Sequence, residues 1–326
     1  MDQPIQRDPD ILPLETLDAC PVCGGKTLRP RFDVRHITGD LLHSWASERG
    51  FSAAPIVACR GCGFVFKSVQ PSVHYLDEHY AQLAENYMER VAEEVTEHRE
   101  DYRAARRMLL EAFPAGGSIL DVGCASGYFL HSLGGGWEKH GLEIFHLAAQ
   151  RARERGGITV HECELASARF ANESFDVVCS FDVVEHLSDP MAFFREAHRV
   201  LKPSGWLLLG TGDSSSAGAL LSGSRWTYFG IPEHVSFFSR RSLKLALRKA
   251  GFRHAEFKKI HHGERKVAVA TGWLRAVGKH WAITFFGEGV TRMRLFRQKT
   301  SEFFVPYFFD HMICVGKGKT SEPTAS

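Results

Sequence analysis

The run Ser118-Ile-Leu-Asp121-Val-Gly123-Cys124-Ala125-Ser-Gly127-Tyr-Phe-Leu130 decides the fold. A short apolar stretch ends in a carboxylate and passes at once into a glycine-containing turn and a helical pattern, as where a buried parallel strand hands over to a helix. Gly123 and Gly127 permit close backbone approach to a ligand at the strand's carboxyl end. Glu143, in Gly141-Leu-Glu143-Ile, follows Asp121 by 22 residues and is placed at the end of the second strand. An acid at that spacing can accept hydrogen bonds from both hydroxyls of a ribose. A pyrophosphate-binding turn reads Gly-x-Gly-x-x-Gly, whereas this one reads Gly-x-x-x-Gly, so a nucleoside without phosphates is the better guest.

Working outward, Pro114-Ala-Gly-Gly117 is a breaker, and His98 to Phe113 places Tyr102, Ala105, Leu109 and Ala112 on one face of an amphipathic helix. Strand patterns at 118–122, 139–144, 158–161, 175–180 and 205–211 alternate with helix-period segments, and two more strands fall near 254–260 and 311–316. That order predicts an α/β fold with a doubly wound, mostly parallel seven-stranded sheet.

Upstream, Cys20-Pro-Val-Cys23-Gly and, after 35 intervening residues, Cys59-Arg-Gly-Cys62-Gly form two Cys-x-x-Cys pairs. Four thiolates make a closed tetrahedral zinc site with no open position, hence a structural one. About 60 residues is near the limit of unaided folding, so this zinc ribbon is expected to depend on its metal. The remaining cysteines, 124, 163, 179 and 314, are scattered and read as small buried residues. The expected organisation is a zinc-binding module at 1–70, a helical linker and substrate-pocket segment at 71–117, a cofactor-binding domain at 118–318 and a disordered tail at 319–326.

The 326 residues are 44% hydrophobic and 24% charged, a globular composition. The formal net charge of +2 provides no strong field for polyanions, so nucleic acid is disfavoured as a partner. No apolar run approaches a transmembrane segment and the first residues lack a signal-peptide pattern, so a cytoplasmic location is expected.

From about residue 105 to 318 the chain resembles class I S-adenosylmethionine-dependent methyltransferases. The first motif of that family, an acid-x-Gly-x-Gly-x-Gly, matches at Asp121, Gly123 and Gly127, with Ala125 in place of the central glycine. Phe175-Asp-Val-Val-Cys-Ser-Phe181-Asp182-Val-Val-Glu185-His186 resembles the fourth-strand motif, and Arg199-Val-Leu-Lys-Pro-Ser-Gly205 the turn before strand five. The resemblance implies a Rossmann-like methyltransferase with S-adenosyl-L-methionine as cofactor. It implies that Asp121, Gly123, Cys124, Gly127 and Phe181 line the cofactor, that Glu143 holds the ribose, and that Glu164 lies near the adenine. A solvated Glu164 is an equal reading.

Methyl transfer is an in-line displacement, and a base matters where the acceptor must lose a proton. After strand five, Trp226-Thr-Tyr228-Phe-Gly-Ile-Pro-Glu233-His234-Val-Ser-Phe237-Phe238-Ser239 supplies His234 as the candidate base and Glu233 as its orienting partner. Alternatively, His234 caps the following helix and packs under Phe237 and Phe238. Zinc-binding N-terminal segments with a Glu-His pair after strand five resemble bacterial deoxysugar C-methyltransferases, which implies Tyr80, with Tyr75 and Tyr87, as pocket residues; packing of these tyrosines is the alternative. Asp182, Glu185 and His186 resemble an acid-x-x-Glu-His arrangement of ubiquinone-pathway O-methyltransferases, where a divalent cation can help ionise a phenol; a Glu-His pair that bonds the cofactor loop is the structural alternative. Residues 265–305 read as an aromatic helical insertion, either a lid or a homodimer contact, within a stretch (281–309) that holds seven phenylalanines.

The expected function is methyl transfer to a small polar metabolite, a sugar or sugar nucleotide, in bacterial polysaccharide or secondary metabolism. The competing classes are an RNA methyltransferase whose zinc module holds RNA, a quinone or phenol O-methyltransferase, and a non-catalytic binding protein.

Overall fold

The computed structural model describes residues 14–32, 55–71, 99–231, 233–260 and 310–319. The N-terminal part is built from five short strands: β1 (Leu14–Thr16), β2 (Leu28–Phe32), β3 (Ile56–Cys59), β4 (Val65–Lys67) and β5 (Val69–Pro71). β1 pairs with β5, while β2, β3 and β4 form an antiparallel sheet. One Cys-x-x-Cys lies between β1 and β2 and the other on the β3–β4 turn. In each, the amide following the second cysteine donates back to the carbonyl of the first, Gly24 to Cys20 at 2.8 Å and Gly63 to Cys59 at 2.9 Å. These tight turns aim both thiols of a pair the same way.

Next comes α1 (Glu100–Ala112), which buries Ala104, Ala105 and Leu109 and exposes Arg103, Arg106 and Arg107. The helix is the expected one, but Ala112 is exposed because the last turn runs off the edge of the core. The following units are β6 (Gly117–Val122), α2 (Tyr128–Ser132), β7 (Trp137–Leu142), α3 (His146–Glu154), β8 (Thr159–His161), β9 (Phe175–Phe181), α4 (Pro190–Val200) and β10 (Leu201–Gly212). α4 starts where the sequence provides both a cap and a pre-set φ: the Asp189 side chain accepts from Ala192 N at 3.0 Å and Pro190 occupies the first turn. Then follow α5 (Ala217–Ser222), α6 (Thr227–Gly230), β11 (Ser236–Phe237), α7 (Arg240–Lys249), β12 (Phe252–Ile260) and β13 (His311–Lys319).

Seven of these strands form one sheet in the order β12-β13-β10-β9-β6-β7-β8. β13 runs antiparallel to both of its neighbours, and the pairs β10–β9, β9–β6, β6–β7 and β7–β8 are parallel. The mixed sheet retains the predicted strand set. Several boundaries differ from the sequence reading: the last two strands run 252–260 and 311–319, so Lys319 belongs to the sheet and not to the expected tail, and two further shifts bear on the site. The second strand runs 137–142 rather than 139–144, so Glu143 sits just beyond it, and the fifth begins at Leu201, with a register shift before Trp206.

The N-terminal sheet does not stand apart. β11 adds to it as a fourth strand, Ser236 opposite Phe66 and Phe237 opposite Val65. Phe64 and Phe66 belong to the same buried cluster as Leu120, Leu209, Phe238 and Leu247. The Phe64 ring lies 4.8 Å from that of Phe238, within the range of a favourable aromatic pair. No described helix is long and apolar enough to cross a membrane. Tyr75, Tyr80, Tyr87, the insertion at 265–305 and residues 320–326 lie outside the described residues.

Candidate functional site

The cofactor turn starts at the end of β6, where Asp121 is 2% exposed. Gly123 has φ +77° and Gly127 φ +74°. A Cβ on Gly123 would stand 2.5 Å from Val183 Cγ2, and one on Gly127 would stand 2.9 Å from Ile158 Cδ1, so the two glycines satisfy packing on both sides of the turn as well as backbone conformation. Glu143 ties the turn down: its Oε2 accepts from Ala125 N at 2.8 Å and its Oε1 from Phe145 N at 2.9 Å. A carboxylate has about four lone-pair directions, so acceptor capacity remains for hydroxyls. Asp121 Oδ1 is buried without a hydrogen-bond partner, and burial together with the nearby Glu143 pushes its carboxyl up to about 7. An orphaned buried acceptor beside a glycine turn fits a ligand that brings its own donors.

Two residues read as cofactor contacts face elsewhere. Cys124 packs its sulfur over Gly141, where a Cβ would come within 2.6 Å, and belongs to the buried cluster with Phe129 and Leu130. Phe181 packs against Phe129 at 4.7 Å and Tyr102 at 4.9 Å. Phe181 ends β9, a doubly covered strand whose alternate side chains are apolar on both faces, so a cleft-facing position looks the same in sequence as an inward one; Cys124 lies in the turn after β6, where nothing in the sequence tells an inward thiol from an outward one. Glu164 is exposed, and its carbonyl accepts from Ser167 and Ala168.

Arg99, just before α1, carries no sequence signature, yet it comes to the cleft. Its guanidinium donates to Asp182 Oδ2 at 2.6 Å and to both carboxylate oxygens of Asp101, and it lies 4.2 Å over the Tyr102 ring. Asp182 follows β9 with φ +55°, a strained conformation of the kind held at functional sites. On its other side His311, fixed by Asp310 at 2.9 Å, approaches to 4.0 Å.

Beyond Asp182 lies a second buried polar group. Glu185, 0% exposed, accepts from Thr211 Oγ1 at 3.0 Å and from Tyr228 OH. Burial and the neighbouring Asp182 raise its carboxyl to about 7. The Tyr228 ring lies 4.1 Å from His234, and His234 lies 4.7 Å edge-on to His186. His234 is 6% exposed with an unpartnered Nδ1, and burial plus the adjoining His186 and Lys67 hold it well below its usual range, as a neutral imidazole. It does not cap α7; Ser239 does, in a reciprocal box with Ser242. Glu233 is half-buried, and its backbone bonds to His186.

The segment carrying His234 is held from two directions. The Glu185 carbonyl accepts from Val235 N and Ser236 N, both at 2.9 Å. From the N-terminal sheet, Lys67 N donates to Val235 O at 2.9 Å and Lys67 Nζ to Ile231 O at 2.9 Å. Lys67 is 1% exposed, and burial lowers its ammonium to about 7. No local pattern marks Lys67, because its role depends on pairing across the chain.

Two groups among the described residues could hold a metal ion. The sulfurs of Cys20, Cys23, Cys59 and Cys62 all lie within 4.8 Å of one another, with Cys20–Cys62 at 3.6 Å and Cys23–Cys59 at 3.5 Å. Those separations are far too long for disulfides and close to the ~3.8 Å edge of a tetrahedron with zinc–sulfur bonds of about 2.3 Å. The second group is Glu185, His186 and His234.

A seven-stranded sheet with one reversed strand, a glycine turn after its central strand and an acid beyond the next strand define a Rossmann-like, class I methyltransferase domain. Residues 95–256 match the family described as "Methyltransferase domain", so the chain carries an S-adenosylmethionine-dependent methyltransferase domain. It is 32% identical over 157 residues to a ubiquinone biosynthesis O-methyltransferase of Ruegeria pomeroyi, covering 44% of this chain and 63% of that one. It is 29% identical over 159 residues to the biotin biosynthesis bifunctional protein BioHC of Teredinibacter turnerae, covering 44% of this chain and 28% of that one. The chain thus spans less than two thirds of the length of these relatives. Among solved structures, it resembles that of the complex between the Haloferax volcanii Trm112 methyltransferase activator and the putative methyltransferase, with a TM-score of 0.51 at 20% identity, covering 77% of this chain and 99% of that one. At that identity the likeness concerns the fold.

Proposed function

We propose that this protein transfers a methyl group from S-adenosyl-L-methionine to a small polar metabolite whose acceptor atom must give up a proton, such as a sugar or sugar nucleotide. The observation that carries this reading is the buried polar cluster of Glu185, Tyr228, His186 and His234, next to Asp182. When bound, the cofactor supplies a methyl group on a positively charged sulfur. Asp121 and Glu143 are the acceptors for its donors, and Arg99 is a cation within reach of a carboxylate.

The pocket redistributes the roles expected from sequence. Glu185, near half-ionised at neutral pH, is the general base; Thr211 and Tyr228 fix its two oxygens. His234, neutral and with Nδ1 free, hydrogen-bonds the acceptor and orients it. Glu233, whose backbone bonds to His186, borders this cluster, and Tyr80 is kept as a candidate substrate residue. The four cysteines bind a structural Zn2+ that holds β3 and β4 in place.

The test is a methylation assay with nucleotide sugars, together with titration of S-adenosylhomocysteine. The acid limb of kcat/KM should inflect near pH 7. Glu185→Gln should lower kcat by roughly 10²–10⁴ without changing S-adenosylhomocysteine affinity, whereas His234→Asn should lower kcat and leave the inflection in place. An inflection that survives in Glu185→Gln removes Glu185 as the base.

A second reading is phenol or quinone O-methylation, favoured by the name of the Ruegeria relative and by the Glu185–His186–His234 group. A cation held there would ease ionisation of a hydroxyl whose pKa is about 10. Turnover of catechols that depends on an added divalent cation would select it over the sugar reading. RNA as acceptor is disfavoured by the net charge of +2.

A further inference from the structure

The described residues include an open groove of about 610 Å³ walled by α7, by β12 and by the turn of the second cysteine pair. Its volume lies in the range of small-molecule sites. Arg240, Arg241, Lys244 and Arg248 line it, with Gly61 and Phe257 on the opposite walls, and no carboxylate is among the lining residues. Arg240 is engaged by Asp213 at 3.0 Å. Arg241, Lys244 and Arg248 are exposed, pair with no acid and donate to no cysteine sulfur among the described residues. At spacings of three and four residues they stand on one face of α7, spread over about 10 Å. The inner face of the same helix, Leu243, Ala246 and Leu247, is buried.

This groove is not the cofactor cleft. It lies on the β12 edge, four strands from β6, a separation of about 19 Å at the usual inter-strand spacing. Nor does its lining include any of Lys67, Asp182, Glu185, His186, Tyr228 or His234.

We infer that the groove between α7 and the cysteine turn is a second ligand site, for a small molecule carrying two or three phosphate charges, of the nucleoside diphosphate class. Three unpaired cations on one helix face match such a charge, and planar guanidinium forks suit phosphate oxygens. A single lining aromatic and the limited volume favour a compact ligand over a nucleic-acid strand, which needs a run of stacking surfaces. The inference concerns binding and is independent of the acceptor of methyl transfer.

The test is calorimetric titration of the metal-replete full chain with uridine diphosphate, inorganic pyrophosphate, uridine and a single-stranded oligonucleotide. The same titrations are run on an Arg241→Ala/Lys244→Ala/Arg248→Ala variant, with melting temperature and zinc content as controls for folding. Uridine diphosphate and pyrophosphate should bind and uridine should not. The variant should bind both about tenfold or more weakly, with melting temperature and zinc content unchanged. Equal affinity in the variant overturns the site. Tighter binding of the oligonucleotide than of uridine diphosphate, lost in the same variant, makes the groove a nucleic-acid surface and overturns the small-ligand assignment. No binding of any probe, with zinc lost from the variant, makes the cations counter-charges of the cysteine cluster and also overturns it.

Discussion

Ala125 is where the glycine turn departs from its pattern, and the backbone records the consequence. It adopts φ +47° while carrying a Cβ, in the left-handed region that costs an L-residue roughly 1–2 kcal/mol. The conformation persists because Glu143 Oε2 accepts the Ala125 amide at 2.8 Å and because Gly123 and Gly127 fix the turn on either side. From sequence the replacement looks mild, since alanine is the smallest substitute, but the strain lies in φ rather than in volume. Ala125→Gly should therefore stabilise the protein by about 0.5–1 kcal/mol, the relief of strain being partly offset by the greater freedom of glycine in the unfolded chain. Urea unfolding with an unchanged m-value would read this directly; a loss of stability would mean that the Cβ makes contacts outweighing its strain.

At the level of elements, the two-residue strand β11 matters most for its length. It fastens Ser236 and Phe237 to β4, and the Lys67 side chain reaches across to Ile231 O, so the N-terminal sheet fixes both flanks of His234. Lys67→Met keeps the length and apolar stem of the side chain but removes that donor. We expect kcat to fall about tenfold while S-adenosylhomocysteine affinity and melting temperature stay near wild type; loss of cofactor binding in parallel would point to general disruption instead. This arrangement explains what could be read from sequence. The central strands β6, β9 and β10 were legible because each carries an apolar run bounded by breakers, whereas β7 and β12, at the flanks, mix polar and apolar residues and were placed by the strand-helix order around them. The cysteine turns were legible because two spacings agree. β11 was not, since two residues carry no periodicity and its partner lies 170 positions away at Phe66. Asp121 and Glu143 follow from spacing, whereas Arg99, Thr211 and Tyr228 reach the site through tertiary packing that no local pattern encodes, and Lys67 braces it in the same way.

For the whole molecule, the question is whether the cysteine segment is a module of its own. Cys20, Val22, Cys59, Phe64 and Phe66 share one buried cluster with Leu120, Phe238, Leu243 and Phe252, so the apolar surface they bury is also surface that α7 and the large sheet bury. A structural zinc can contribute on the order of 10 kcal/mol to the fold it organises. Where the core is common, loss of that contribution lowers the stability of everything packed on it. Chelation should accordingly shift a single calorimetric transition downward rather than split off a separate low-temperature one. Activity should fall in proportion to the metal lost, because β4 positions the His234 segment through Lys67 and β11, while S-adenosylhomocysteine binding at Asp121 and Glu143 should decline less. The measurement is differential scanning calorimetry with parallel metal analysis on samples of graded zinc content. An upper transition that stays at the holoprotein temperature as zinc is withdrawn would show that the methyltransferase domain melts on its own, and that the shared cluster couples the two parts too weakly to matter.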